Sequence, residues 1–142
     1  MTEEKTSLPP VTEETIHTLV HTFYDRIRSD ETLGPIFNDV IDPNWDAHLE
    51  KMCAFWSSVM LTSGRYKGRP MQAHAKLSAV KPEHFDIWLG LFRETATELF
   101  GPVTGAAFIY RAERIAASLK LGMFFDAEET FVSKPGSRQD QA

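Results

Sequence analysis

Four side chains with polar tips, Tyr24, His48, His74 and Trp88, fall on the apolar sides of four separate helical patterns. Each is explained singly by packing, because Tyr and Trp enter cores when their O–H or N–H finds a partner. A lone His on an apolar face is likewise usually satisfied by local hydrogen bonds. Converging, the four describe a water-poor pocket with a few placed donors and an imidazole able to take a metal, which is how cofactor sites are built. His74 stands between Met71 and Leu77 in "RPMQAHAKL", whereas His84 lies beside Lys81 and Glu83 in "KPEHFDIW" and reads as a surface residue or a contact for an anionic group.

Other chemistries lose their strongest signals. The chain has no phosphate-cradling G-x-x-x-x-G-K-[ST], no dinucleotide glycine fingerprint, no C-x-x-C and no H-E-x-x-H. Glu13, Glu14, Glu50 and Glu83 share faces with other polar groups and read as solvated surface, so no catalysis is assigned to them. Cys53 has no evident cation beside it to stabilise a thiolate and is taken as structural, as are Trp45 and Trp56.

The elements that must hold these residues are helices. Ile16, Leu19, Val20, Phe23, Tyr24 and Ile27 recur at three- and four-residue steps, which predicts an amphipathic helix over 13–29 capped by Thr12. "ETLGPIFNDVIDPN" carries Gly34, Pro35 and Pro43 and predicts a short helical turn under a loop. Asn44 is expected to cap a second helix ending near Gly64, and Pro70 to open a short helix presenting Met71, His74 and Leu77. Pro82 opens a helix over 82–100 with Phe85, Trp88, Leu89, Phe92 and Leu99 inward, ended by Gly101 and Pro102, and a last helix spans 103–123. The fold class is all-α. One domain over 12–124 is expected, with polar, disordered tails at 1–11 and 125–142.

A chain of 142 residues, 42% hydrophobic and 25% charged, is large enough for one real core. Its net charge of −5 and lack of a Lys/Arg-rich run argue against nucleic acid as a partner and favour small molecules. The single cysteine suits a reducing compartment, and "MTEEKTSLPP" lacks the apolar centre of a signal peptide. No apolar run is long enough to cross a bilayer. The expectation is a cytoplasmic protein without membrane contacts.

Taken together, "FYDRIRSDETLGPIF", "WDAHLEKMCAFWSSVMLTSGRYKGRPMQAHAKL" and "HFDIWLGLF" resemble the truncated haemoglobins, within them the third group. The resemblance covers about residues 12–122 and includes the absence of the glycine pairs that mark the other groups. It implies a two-over-two helical sandwich around haem b, iron protoporphyrin IX, with His74 as the proximal iron ligand. On the opposite face it implies Tyr24, His48 and Trp88, the first and last donating hydrogen bonds to a diatomic ligand, and His48 gating the site or acting as a sixth ligand. Apolar wall candidates are Phe23, Phe37, Ile41, Met52, Phe55, Met60, Met71, Leu77, Phe92 and Ile115. Lys67 and Arg69 are candidate cations for the haem propionates, with the Tyr66 hydroxyl beside them.

The function so implied is binding of dioxygen, carbon monoxide, nitric oxide or peroxide, with peroxidase-like or nitric oxide detoxification chemistry if an external reductase supplies electrons. Two alternatives stay open on sequence grounds: a six-coordinate, bis-histidyl redox or sensor globin, and a non-haem helical interaction module using Trp88, Phe92 and the methionines. Oligomeric state is not legible.

Overall fold

The computed structural model describes residues 10–68 and 80–124, and its elements are four helices in the order α1 (Glu13–Ser29), α2 (Leu33–Ile41), α3 (Trp45–Leu61) and α4 (Pro82–Phe124). No strand occurs among the described residues, and no described helix is long and apolar enough to cross a membrane.

Helix α1 organises the molecule. Thr12 holds an extended conformation at its start, where its hydroxyl accepts from the Thr15 amide at 3.1 Å and the Thr15 hydroxyl accepts from the Thr12 amide at 2.8 Å. This reciprocal cap satisfies two otherwise orphaned donors. Glu13 and Glu14 in the first turn and Arg26 and Arg28 in the last suit the helix dipole. Ile16, Leu19, Val20, Phe23, Tyr24 and Ile27 are buried, so the predicted stripe is the buried one, and α1 packs against the three other helices.

The segment expected to be a short turn under a loop is instead the nine-residue helix α2. Gly34 and Pro35 sit in its first turn, where an absent proline N–H costs no helical hydrogen bond. Asp30 supplies the cap from outside, its Oδ2 accepting from the amides of Thr32 at 3.0 Å and Leu33 at 2.8 Å. Gly34 allows the close approach to α1, since a Cβ there would lie 2.5 Å from the Arg28 carbonyl oxygen.

Helix α3 begins where expected, with Asn44 at the N-cap position, although the Asn44 side chain makes no cap hydrogen bond; it ends earlier than expected, at Leu61, because Thr62 turns left-handed at φ 53°. Its end is tied to the start of α1 through the fully buried Ser57, which donates to Glu13 at 2.6 Å and pairs with the Ser63 hydroxyl at 2.7 Å. Arg65 also pairs with Glu13. The two helices expected on either side of "FGPV" are the two arms of α4, separated as expected at Gly101, whose non-helical φ of 81° breaks the helical path before Pro102. Gly105 lets the arms cross closely, a Cβ there falling 3.0 Å from the Ala96 carbonyl oxygen. The second arm runs to Phe124, slightly past the expected stop at Gly122.

The core lies between α1, α3 and both arms of α4, with Phe23, Phe92, Phe100 and Phe108 among its largest fully buried side chains. Phe85, Ala116 and Leu119 form a second cluster joining the start of α4 to its second arm. Val11, in the expected N-terminal tail, packs against the main core.

Candidate functional site

Between α2, α3 and the two arms of α4 lies an open cavity of about 320 Å³, within the range of roughly 300–1,000 Å³ usual for cofactor sites. Tyr24 reaches it from α1, His48 from α3 and Trp88 from α4, so the three distal candidates meet on one cavity although they are far apart in the chain. Each is placed there by helical spacing. Tyr24 follows Phe23 by one step, which carries it from the centre of the core to the core's edge on the cavity, and His48 shares a face with Met52 and Phe55 at four- and seven-residue intervals.

The Tyr24 ring is buried, edge-on to His48 at a centroid distance of 5.2 Å and 6.2 Å from Phe37. His48 is held edge-on by Trp45 as well, at 5.6 Å, and Trp45 in turn donates its indole N–H to Asn38 at 3.0 Å. Burial pushes the Tyr24 hydroxyl well above the usual phenolic pKa, and a hydrogen bond from Trp88 opposes this in part. Since indole N–H is donor only, Trp88 donates and the Tyr24 oxygen accepts, which leaves the Tyr24 O–H available to another acceptor. Trp88 is fixed by stacking on Phe92 at 5.7 Å and by an edge contact from Phe23 at 5.4 Å.

Of the wall candidates, Phe37, Met52, Phe55, Tyr66 and Ile115 line the cavity. Phe23 and Phe92 are fully buried behind it in the core, and Ile41 and Met60 pack against that core, none of these four reaching the lining. Lys67 is exposed and also off the wall, its ammonium lying over Gly64. His74, Arg69, Met71 and Leu77 lie outside the described residues.

The wall holds residues that sequence reasoning did not assign to it: Leu33, Ile36, Lys51, Trp56, Gly68, Val80, Phe85, Ala116 and Leu119; His84, read as a surface residue or a contact for an anionic group, lines it too. Lys51 had a legible signal, being one turn beyond His48. Tyr66 leans on Phe55 edge-on at 5.2 Å and lies so close over Gly68 that a Cβ there would collide with its hydroxyl. Burial raises its pKa too. Cys53 does not line the cavity, and burial raises its thiol pKa despite Arg65 nearby, keeping the sulfur protonated and unreactive.

The lining therefore fits haem: apolar and aromatic walls, a buried protonated hydroxyl with its O–H to give, and no carboxylate among the described lining residues. Comparison with known proteins agrees. The family model of the bacterial-like globins matches residues 12–103. A group 3 truncated haemoglobin of Campylobacter jejuni is 36% identical over 110 residues, spanning 75% of this chain and 87% of that protein. The crystal structure of a group III truncated haemoglobin from Campylobacter jejuni superposes with a TM-score of 0.77 at 33% identity, covering 81% of this chain and 93% of that one. The chain thus belongs to the truncated haemoglobins, in their third group, and is a haem-binding globin.

Proposed function

We propose that this globin binds haem b with His74 as the proximal iron ligand, and that Tyr24, His48 and Trp88 hold dioxygen or another diatomic ligand on the opposite face. The observation that carries the reading is the meeting of those three side chains on one apolar cavity. Haem bound there supplies the iron to which dioxygen, carbon monoxide or nitric oxide attaches. The protein's part is to orient the Tyr24 O–H through Trp88, keep that proton in place at any physiological pH, and exclude water with the aromatic wall. His48, braced edge-on by Tyr24 and Trp45, narrows the approach to the site.

Peroxidase-like turnover or conversion of nitric oxide to nitrate would draw on the same donors and on electrons from an external reductase. The test is the optical spectrum of the protein given haem, oxidised, dithionite-reduced and carbon monoxide-bound, for the wild type and His74→Ala. A haem spectrum that His74→Ala abolishes, or keeps only with added imidazole, supports the assignment, and failure of the wild type to form a specific complex overturns it. The ferrous form without gas is expected to be five-coordinate. A low-spin spectrum that His48→Leu converts to five-coordinate would instead make His48 the sixth ligand.

A further inference from the structure

Two of the five histidines belong neither to the core nor to the cavity. His17 and His21 stand one turn apart on α1, outside its buried stripe, with His17 exposed and His21 half-buried. Their rings are stacked, 20° from parallel, with centroids 4.0 Å apart. Residues four apart share a helix face, so the helix holds two imidazoles side by side at its surface. Neither ring has a hydrogen-bond partner among the described residues.

The charges around the pair come from two helices. Asp25 is one turn beyond His21 on α1, and Asp46 lies in the first turn of α3. Burial, and then the charge of His17, hold His21 below its ordinary pKa, against Asp25 and Asp46, which pull it up. His21 thus offers a free nitrogen within reach of two carboxylate charges, in a chain whose formal net charge is −5. One divalent cation shared by both rings suits such a place better than a proton on each, because two protonated rings in a stack repel.

We propose that His17 and His21 form a surface chelate for a divalent transition-metal ion of the imidazole-preferring class, copper(II) ahead of nickel(II) and zinc(II). Two ring nitrogens at about 2.0–2.1 Å from one ion stand about 3 Å from each other, and stacked rings 4.0 Å apart reach that by tilting one edge together. No group of three His, Cys, Asp or Glu among the described residues could hold a metal ion, so water completes the coordination and the two aspartates attract the ion without ligating it. A site of imidazole and water with no thiolate follows the general affinity order, in which copper(II) stands first. The rings keep this spacing only while α1 is helical, so the ion binds the folded chain in preference to the unfolded one and stabilises it. The pair lies off the cavity wall, and the proposal stands independently of the haem reading.

The test is calorimetric titration of the full chain with copper(II) at neutral pH, with and without ferric haem. Wild type is compared with His17→Gln, with His21→Gln, and with a register swap, His21→Thr together with Thr22→His. The swap keeps five histidines but sets two of them five positions apart, off a common face. Far-UV circular dichroism checks that each variant keeps its helices. Wild type is expected to bind one ion with or without haem, and each variant to bind it about a hundredfold more weakly, the loss of a second linked ligand. Excess copper(II) should raise the unfolding temperature of wild type and leave that of the variants unchanged. Equal affinity in wild type and the swap, or no single-site binding in wild type, overturns the chelate. Binding that haem abolishes places the copper in the cavity and overturns it as well. Tighter binding of zinc(II) than of copper(II) overturns the choice of metal.

Discussion

Phe23 and Tyr24 are consecutive in α1, yet they serve two different regions. Phe23 is enclosed by the edges of Trp88 and Phe92, at 5.4 and 5.2 Å, inside a core closed by the chain's own side chains. Tyr24 faces the cavity, where its hydroxyl has a donor in Trp88 and its ring an edge contact with His48. The closed region is held by packed hydrocarbon, whereas the hollow one is held open by rigid aromatics braced from behind. A stack runs between them: Trp88 on Phe92 at 5.7 Å, and Phe92 on Trp56 at 5.1 Å, with both tryptophans on the cavity wall and the phenylalanine in the core. The core's density is what lets a cavity persist beside it. A wall of side chains free to change rotamer would collapse into the space.

The largest effect should come from the closed region. Phe108 is fully buried, stacks on Phe100 at 4.6 Å and does not line the cavity. Phe108→Ala is expected to cost about 3–5 kcal/mol of unfolding free energy, the usual loss for a truncated core aromatic. Denaturant unfolding measures this, and flash photolysis should show carbon monoxide rebinding to the haem-loaded variant unchanged. Rebinding that shifts with the loss of stability would break the separation of the two regions.

Tyr24→Phe reverses the pattern. It preserves the ring's contacts with Phe37 and His48 and removes only the hydroxyl. A hydrogen bond to a partly charged acceptor is worth about 1.5–3 kcal/mol, so dioxygen release should quicken by about ten- to a hundredfold. Stopped-flow displacement of dioxygen by carbon monoxide gives the rate. Carbon monoxide release, with little charge to stabilise, should change far less. Equal changes for both gases would mean that Tyr24 acts by bulk and that its hydroxyl serves only Trp88.

The two regions were unequally legible in the sequence. Ile16, Leu19, Val20, Phe23 and Ile27 are buried as their spacing predicts, because a helix with one apolar stripe has one way to bury it. Gly101 and Pro102 marked the bend in α4, since both oppose a straight helix. Gly34 and Pro35 misled for the same reason: they look like breakers, but in a first turn they cost little, and Asp30 caps the helix from outside it. The cavity wall was harder to read. Apolar spacing cannot separate Met52 and Phe55, which line the space, from Phe92 and Met60, which do not, because membership depends on how helices cross. Trp56, expected to be plain core, has one side on Phe92 and another on the cavity. Lys51 escaped because a charged residue on an outer helix face is ordinarily solvated, and only the assembled helices show that it borders the cavity.

The smallest predicted effect asks whether Tyr24 is as enclosed as its neighbours imply. Burial raises its pKa above the ordinary value of 10.0, with the Trp88 hydrogen bond opposing weakly. In the unfolded chain Tyr24 releases its proton near pH 10, while the folded protein still holds it. Above that pH the folded state binds more protons than the unfolded one, so stability declines as pH rises; below it the contribution is fully present. The decline approaches about 1.4 kcal/mol per pH unit for one such group. Tyr66 shifts in the same direction but is half-exposed, and it is present in both proteins of a comparison between wild type and Tyr24→Phe. Urea unfolding of the two haem-free proteins at pH 8, 10 and 11 should therefore show wild type losing stability faster than Tyr24→Phe only above pH 10. Parallel losses would mean that solvent reaches the Tyr24 hydroxyl in the folded state, and the wall beside it would then be no drier than the rim.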